Sequence, residues 1–263
     1  MDRETMRRGI VYGVGVGPGD PELMTLKAVR LIRESTVIAV PGKEAKRSAA
    51  YRIAAAAVPE MEQKEILALD MPMTEDREVL QRKHREGADK IREQLDRGEN
   101  VVYLTLGDPT IYSSFMYLKA LLEADGYQAE PVSGVPSFCA AAARLGLSLA
   151  ERDELLHIVP GLHADTAYGL PDLPGNCVLM KPGSHMKMIR EELIRCDRDV
   201  SAVVNCGMDD EQIFQSAQDL PDEAGYFSLI IVKDSHKSSS SCEQAQDMKT
   251  GRRYNAGSEK CSP

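Results

Sequence analysis

The chain has 263 residues, of which 43% are hydrophobic and 28% are charged, and its formal net charge is −9. This composition is typical of a globular protein with one or two domains, and the acidic balance argues against general nucleic-acid binding. No stretch approaches 18 uncharged apolar residues, and the charged segment 1–8 lacks the apolar core of a signal peptide. We therefore expect a cytoplasmic protein that acts on small molecules and has neither nucleic acid nor a membrane as its partner.

The predicted strands are nine short apolar runs that alternate with helical patterns: 10–16, 36–40, 65–69, 101–106, 127–132, 155–159, 177–180, 200–205 and 226–232. Several are continuously apolar and rich in Val and Ile, which is typical of strands covered on both faces. The predicted helices include 22–33, an apolar stripe from Leu80 to Leu95, a stripe from Ile111 to Leu122, and 138–145. This alternation predicts an α/β fold with mostly parallel sheets.

Nine strands are many for one open sheet. The stretch 134–137, after the fifth strand, offers a hinge between two α/β halves, although composition alone does not fix that boundary. The last segment, 235–263, contains no Val, Ile, Leu or Phe, and seven of its 29 residues are Ser. It carries +2, so residues 1–234 carry −11. Because such a segment buries too little apolar surface to offset the entropy of ordering, we predict a disordered polar tail.

The six cysteines and five histidines lack the spacing of metal ligands, since no Cys-x-x-Cys pair occurs. The sequence therefore predicts no protein-bound metal. His84 lies on the apolar stripe of its predicted helix, which favours a histidine packed in the core or at its boundary over a ligand.

A first glycine-rich loop, residues 13–20, joins the first strand to the helix 22–33. Such a turn lets the backbone approach a ligand closely. The dinucleotide spacing G-x-G-x-x-G fails because Pro18 and Asp20 stand where glycine is needed, and no Gly-Lys-Ser/Thr follows to complete a Walker motif. The alternative interpretation is a tight strand-to-helix turn capped by Asp20.

Two further loops, 106–114 and 133–137, follow the fourth and fifth strands. Asp108 either presents a carboxylate at the sheet edge or caps a helix that begins at Pro109. Ser137 is the predicted cap of helix 138–145, whose first N–H groups can bind an anion. Because open α/β sheets bind ligands at the carboxyl ends of their strands, the three loops predict a pocket for a small polar ligand.

The strings GVGPGD at 15–20, GDP at 107–109 and GVPS at 134–137 occur in the order and context of a known family. The chain resembles the tetrapyrrole methylases, which are S-adenosylmethionine-dependent enzymes of cobalamin and sirohaem synthesis. Longer strings at 104–113, 136–146, 178–181, 205–208 and 226–233 resemble the branch that methylates C20 of precorrin-2 or cobalt-factor II. The resemblance covers about residues 9–233 and departs at Ser133, where a proline would be expected before the glycine.

The resemblance implies two α/β domains, 1–135 and 136–234, with S-adenosylmethionine in the cleft between them, and a homodimer. It implies a C-methyltransferase that acts on C20 of precorrin-2 or cobalt-factor II in cobalamin biosynthesis. The alternatives are another methylase of the same family or a non-catalytic small-ligand-binding α/β protein. The residues that the resemblance assigns to the cofactor are Pro18, which would also lie beside the substrate, Gly107, Asp108, Ile111, Ser137, Met180, Asn205 and Cys206.

The implied reaction releases a proton from the methylated carbon, and Asp108 is the candidate base, with Asp20 as an alternative. The implied substrate carries eight carboxylates, so an acidic protein needs a local basic cluster to bind it. The first candidate cluster comprises Lys43, Lys46 and Arg47, and the second comprises Arg77, Arg82, Lys83 and Arg85. A solvated helix face is the alternative interpretation of either cluster.

Overall fold

The computed structural model describes residues 8–74, 76–161, 173–196 and 198–234. The predicted disordered tail, 235–263, lies outside the described residues. Contacts divide the chain into two compact units. The first unit comprises the residues up to Ser148 together with Val203–Ile213 and Phe227–Leu229. The second comprises Leu149–Ala202, Phe214–Tyr226 and the residues from Ile230 onward. The predicted domain boundary between residues 135 and 136 stays a prediction.

The strands of the first sheet are β1 (Ile10–Gly15), β2 (Val37–Pro41), β3 (Glu65–Leu69), β4 (Val101–Thr105) and β5 (Gln128–Val132). Their order is β3-β2-β4-β1-β5, and every pair is parallel. Parallel pairing places all five carboxyl ends at one edge of the sheet, where the last residue of β1, Gly15, lies opposite the last residue of β4, Thr105. The loops that follow these strands therefore meet at one edge.

The helices of the first unit are α1 (Leu26–Glu34), α2 (Ala49–Ala57), α3 (Arg77–Asp96), α4 (Phe115–Ala124) and α5 (Ser137–Leu145). Successive residues of a strand point to opposite faces of the sheet. Accordingly Val102 and Leu104 of β4 belong to one buried cluster, while Val101 and Tyr103 belong to another. The sheet is thus covered on both faces, as the continuous apolar runs predicted.

The second sheet contains β6 (Leu156–Pro160), β7 (Asn176–Met180), β8 (Asp199–Val204), β9 (Gln212–Phe214) and β10 (Ser228–Lys233), in the order β6-β7-β10-β8-β9. Strands β6 and β7 are parallel. Helix α6 (Met186–Arg195) buries Met186, Ile189 and Leu193 in the core of the second unit. The predicted α/β class is confirmed. Within the described part of the chain, no helix has the length and apolarity needed to span a bilayer.

All nine predicted strands occur within two residues of their predicted ends, but the helix starts differ. The helix predicted from Pro109 is wrong in its first turn and a half, because α4 begins at Phe115. The helix predicted at 22–33 is a 3-10 turn, Pro21–Leu23, followed by α1 with Thr25 as its cap. Ser137 is the first residue of α5 rather than its cap, which is Pro136.

Candidate functional site

The backbones of Gly17 and Gly107 pair across the carboxyl edge of the first sheet. The N–H of Gly107 donates to the carbonyl of Gly17 at 2.8 Å, and the N–H of Gly17 donates back at 3.4 Å. Both residues have positive φ, +76° and +71°, which glycine adopts without a steric cost. The loops after β1 and β4 are therefore joined by their main chains.

The loop after β5 reaches the same point of the sheet edge, and no side chain separates its main chain from those of the other two loops. A Cβ added to Gly15 would lie 2.5 Å from the carbonyl oxygen of Gly107 and 2.7 Å from the nitrogen of Gly134. A Cβ added to Gly134 would lie 2.2 Å from the carbonyl oxygen of Gly107. Real Cβ atoms do not approach so closely, so only glycine fits at these two positions. The three predicted loops thus form one backbone-walled site, of the kind that a ligand can approach closely.

Asp108 holds two of these loops together through its side chain. The residue is 8% exposed, and its Oδ2 accepts a hydrogen bond from the N–H of Gly134 at 3.0 Å. Its Oδ1 accepts from the N–H of Thr110 at 2.8 Å and from the hydroxyl of Thr110 at 2.5 Å. The buried carboxylate is satisfied on both oxygens by protein donors, which is the pattern of a group that organises its surroundings.

Asp108 does not cap a helix, because the chain makes a loop before α4. Tyr112 adopts a left-handed φ of +47° in this loop. The hydroxyl of Ser113 lies 2.8 Å from that of Thr105 and accepts from the N–H of Phe115 at 3.1 Å. These local polar contacts compete with helical pairing. Ile111, a predicted cofactor residue, lies half-buried in this loop.

A fourth segment, the loop 205–211, packs against the turn at residues 17–20. A Cβ on Gly19 would lie 2.1 Å from the carbonyl oxygen of Cys206, and a Cβ on Gly207 would lie 2.6 Å from the nitrogen of Asp20. Asn205 has φ +54° and donates from Nδ2 to Asp210 at 2.8 Å. The packing of these two segments against each other could not be predicted from spacing, because residues 21–204 separate them.

The structure brings most of the predicted cofactor residues together within the first unit. Pro18 is buried beside the pair Gly19 and Cys206, and the backbone nitrogen of Ser137 lies 3.8 Å from a Cβ placed on Gly107. Met180 belongs to the second unit, where it is buried at the end of β7 and its carbonyl accepts from the N–H of Gly161 at 2.7 Å.

Two residues that the sequence did not single out, Arg144 and Glu211, form an ion pair of 2.5 Å in this region. The second oxygen of Glu211 accepts from the N–H of Gly207 at 2.8 Å. Burial acts to raise the pKa of Glu211, but the hydrogen bonds from Gly207 and Arg144 bring that pKa below its ordinary value. Burial and the neighbouring Glu211 raise the pKa of the Cys206 thiol to about 11, so the thiol is protonated at neutral pH.

The two candidate basic clusters meet at one carboxylate. Lys43 in the loop after β2 and Lys83 on α3 lie 3.9 Å and 3.1 Å from the same oxygen, Oδ2 of Asp70. The Lys43 side chain is 79% exposed, and Arg47 pairs with Glu44 at 2.6 Å. An open depression of about 470 Å³ is lined by Lys43, Glu44, Ala45, Lys46, Arg47 and Ala68.

The remaining members of the second cluster are exposed to solvent. Arg82 pairs with Glu86 at 3.8 Å, whereas Arg77 and Arg85 are exposed. His84 is half-buried and stacks on the ring of Tyr117 with the centroids 4.8 Å apart, and burial lowers its pKa. Across the described ranges, no group of three His, Cys, Asp or Glu side chains is arranged to hold a metal ion.

The sequence of residues 10–221 matches the family profile described as tetrapyrrole (corrin/porphyrin) methylases. A probable cobalt-precorrin-2 C(20)-methyltransferase of Methanocaldococcus jannaschii is 41% identical over 151 residues, which are 57% of this chain and 63% of that protein. The chain thus covers less than two thirds of this relative. A precorrin-2 C(20)-methyltransferase of a Sinorhizobium species is 32% identical over 236 residues, 85% of this chain and 95% of that protein.

Two solved structures are similar over most of their length. A cobalt precorrin-4 methyltransferase superposes with a TM-score of 0.68 at 22% identity, over 85% of this chain and 94% of that one. A uroporphyrin-III C-methyltransferase from Thermus thermophilus, complexed with S-adenosyl homocysteine, superposes with a TM-score of 0.61 at 25% identity, over 86% of this chain and 98% of that one. The predicted family resemblance is confirmed by these matches.

Proposed function

Because the chain belongs to the tetrapyrrole (corrin/porphyrin) methylases, we propose that it transfers the methyl group of S-adenosylmethionine to C20 of precorrin-2 or cobalt-factor II in cobalamin biosynthesis. The observation that carries this proposal is the 32% identity to the Sinorhizobium precorrin-2 C(20)-methyltransferase, which extends over 95% of that protein. The identity of 41% to the M. jannaschii relative supports the same position of methylation.

The first sheet offers a suitable place for the methyl donor. Its carboxyl edge is walled by the main chains at Gly15, Gly107 and Gly134, and a side chain at Gly15 or Gly134 would collide with main-chain atoms. The amino-acid and ribose groups of S-adenosylmethionine need main-chain hydrogen-bond donors and acceptors at close range. A wall of main chain supplies them. We propose that Pro18, Gly107, Asp108, Ile111, Ser137, Asn205 and Cys206 contact the donor.

Methyl transfer requires little of the side chains beyond holding the two reactants in position. When bound, S-adenosylmethionine supplies a methyl group on a sulfonium, which an electron-rich carbon attacks with loss of S-adenosylhomocysteine. Holding the two reactants in line accounts for several kcal/mol of the barrier in reactions of this kind. The walls of the site therefore have to be rigid, and the buried hydrogen bonds of Asp108 supply part of that rigidity.

The proton that leaves the methylated carbon needs an acceptor. Asp108 is the candidate, but both of its oxygens already accept hydrogen bonds from Gly134 and Thr110. This arrangement favours a positioning role, and Asp20, which is only partly buried, is the alternative acceptor. Asp20 uses Oδ1 to accept from the N–H of Glu22 at 2.8 Å.

The carboxylates of the substrate require cations on this acidic protein. We propose that Lys43, Lys46 and Arg47 bind them, with Lys83 as a fourth cation that Asp70 connects to Lys43. Strand β2 neighbours β4 in the sheet, so the loop that carries Lys43 shares the carboxyl edge with the loop that carries Asp108. A polycarboxylate in contact with both loops lies next to the donor site.

One experiment tests the function directly. The purified protein is incubated with methyl-labelled S-adenosylmethionine and, separately, precorrin-2 and cobalt-factor II, and the product is examined for the mass and position of the added methyl. We expect transfer to C20 of at least one of them. Transfer to another carbon would make the chain a different methylase of the family, and donor binding with no transfer to either would favour a ligand-binding protein. A cytoplasmic location and a homodimer belong to the same proposal, and equilibrium sedimentation would test the dimer.

A further inference from the structure

We propose that Glu211 is a positioning residue that holds the loop 205–211 against the turn at residues 17–20 in the geometry required to bind the methyl donor. The inference rests on the proposed function, because the loop carries Asn205 and Cys206, which we propose as donor contacts. Nothing in the sequence pattern singles out Glu211, and it touches neither reactant in this role.

The carboxylate of Glu211 accepts hydrogen bonds from two parts of the chain that are far apart in sequence. Oε1 lies 2.5 Å from Nε of Arg144, at the end of α5. Oε2 accepts from the N–H of Gly207 at 2.8 Å, and the thiol of Cys206 donates to the same carboxylate. The Glu211 side chain is only 13% exposed, whereas that of Arg144 is 60% exposed. A shielded carboxylate with several donors forms stronger hydrogen bonds than neutral acceptors do.

Within the described part of the chain, the loop has no other side-chain link to α5, and most of its backbone bonds lie within the loop. The N–H of Met208 donates to the carbonyl of Asn205, and the N–H of Glu211 donates to the carbonyl of Met208. The N–H of Asn205 also donates to the carbonyl of Phe227 at 3.0 Å, so the main chain anchors the start of the loop but does not tie it to α5. Glu211 is the side chain that fastens this compact turn to the helix following loop 133–137.

The position of the loop matters because its main chain packs against residues 17–20 with no space between them. A methyl on Gly19 would lie 2.1 Å from the carbonyl oxygen of Cys206, and a methyl on Gly207, whose φ is +73°, would lie 2.6 Å from the nitrogen of Asp20. A shift of the loop of one ångström therefore changes the wall of the donor site beside Pro18. Misplacement on that scale is enough to weaken binding severely when a site depends on fixed geometry.

The test compares Glu211→Gln with Asp209→Asn, which removes the same charge from an exposed position in the same loop. The dissociation constant for S-adenosylhomocysteine is measured by calorimetry, and kcat is measured at saturating donor. For Glu211→Gln we expect a rise in the dissociation constant of about tenfold, the loss of roughly one charge-assisted hydrogen bond, with little change in kcat. Asp209→Asn should match the wild type. Arg144→Gln, which leaves the bond to Gly207 in place, should give an intermediate rise and covers the case in which Glu211→Gln does not fold.

A second readout needs no ligand. The rate at which iodoacetamide modifies Cys206 is followed by peptide mass spectrometry as a function of pH. Removing the Glu211 charge lowers the pKa of this thiol from about 11, so Glu211→Gln should be alkylated faster at pH 8.5, and Asp209→Asn should not. Folded Glu211→Gln with wild-type donor affinity would overturn the inference and leave the proposed function intact. A wild-type protein that binds no donor would overturn the proposed function, whereas a Cys206 alkylation rate left unchanged in Glu211→Gln would contradict the contact of Glu211 with Cys206.

Discussion

The buried carboxylate of Asp108 accepts a hydrogen bond from the backbone N–H of Gly134, 3.0 Å away, across the edge of the first sheet. The bond joins the loops after β4 and β5 at the point where Gly15 also makes its close approach. A main-chain donor at that distance needs an acceptor, since a buried N–H without one costs about 1–3 kcal/mol. The same bond therefore affects both the stability of the edge and the shape of the proposed donor site.

Asp108→Asn should weaken both properties. An amide offers one oxygen where the carboxylate offers two, so its NH₂ group must face either the Gly134 or the Thr110 donor. We expect a loss of about 1–2 kcal/mol in the free energy of unfolding and a clear rise in the dissociation constant for the donor. Denaturant unfolding and calorimetry measure the two effects. A fall in kcat at saturating donor, with affinity preserved, would instead identify Asp108 as the base, and no change in either would exclude both roles.

Gly134→Ala should disrupt the edge by steric overlap. The added methyl would stand 2.2 Å from the carbonyl oxygen of Gly107 and 2.8 Å from the main chain of Gly15. Since these are backbone atoms, relief requires the loop after β5 to move away from Gly15 and Gly107, and we expect a cost of about 2 kcal/mol or more. Gly225→Ala is the control, because its methyl meets no atom within 4 Å. Equal thermal stability of the two variants would show that the loops are not packed as described.

Lys83→Gln and Lys43→Gln should each weaken substrate binding. Both ammonium groups converge on Asp70, and a substrate carboxylate near that point gains from each of them. We expect KM for the tetrapyrrole to rise by about threefold for each substitution, as is usual for exposed charge pairs, and the effect to shrink at high salt. Arg97→Gln is the matched control, because Arg97 follows the last residue of α3 and lies about 21 Å along the helix axis from Lys83. If the control raises KM equally, the effect is one of net charge alone.

Glu154→Gln should destabilise the second unit in a pH-dependent way. Glu154 accepts hydrogen bonds from Glu151 and Asn176 and pairs with Lys233 at 3.2 Å, and its side chain is 13% exposed. The hydrogen bond from the Glu151 N–H is the largest of the causes that lower its pKa below the ordinary value. Since the folded pKa lies below the unfolded one, this stabilisation is complete above the unfolded value, about 4.3, and disappears as the pH falls through the folded value.

We expect Glu154→Gln to lower the free energy of unfolding by about 1–2 kcal/mol at pH 7, and this difference from the wild type should shrink below about pH 4. Chemical denaturation of the variant and the wild type over a series of pH values measures it. Glu223→Gln, at an exposed position of the same unit, serves as the control. A difference between Glu154→Gln and the wild type that stays constant down to pH 3 would contradict the assignment of this carboxylate.

Strands and the sheet edge were predictable because their signals are local. Continuous Val- and Ile-rich runs required burial on both faces, and glycine-rich strings marked the turns after β1, β4 and β5. Strand β9, with three residues, is too short to produce a pattern. The predicted start of α4 was wrong because the Ser113 hydroxyl accepts from the N–H of Phe115, a donor that a helix begun at Pro109 would pair with the carbonyl of Ile111.

The hydrogen bonds and ion pairs of the site were harder to predict from the sequence. Asp108 and Gly134 are 26 positions apart, and Arg144 and Glu211 are 67 apart. No periodicity encodes such pairs, because only the folded main chain brings their atoms together. The meeting of Lys43 and Lys83 at Asp70 is of the same kind, and it unites two clusters that the sequence could offer only as alternatives.

The first unit is discontinuous in sequence, since Val203–Ile213 and Phe227–Leu229 complete it. During synthesis the ribosome makes the residues up to Ser148 first, and at roughly 5–20 residues per second the segment that covers Gly19 emerges several seconds later. Until then the turn at residues 17–20 lacks its partner, and the nascent chain cannot retain a methyl donor through contacts with Asn205 or Cys206. Completion of the proposed donor site is thus a late event in the biogenesis of the protein, and a chain that stops before residue 203 would lack the part of it that the loop 205–211 supplies.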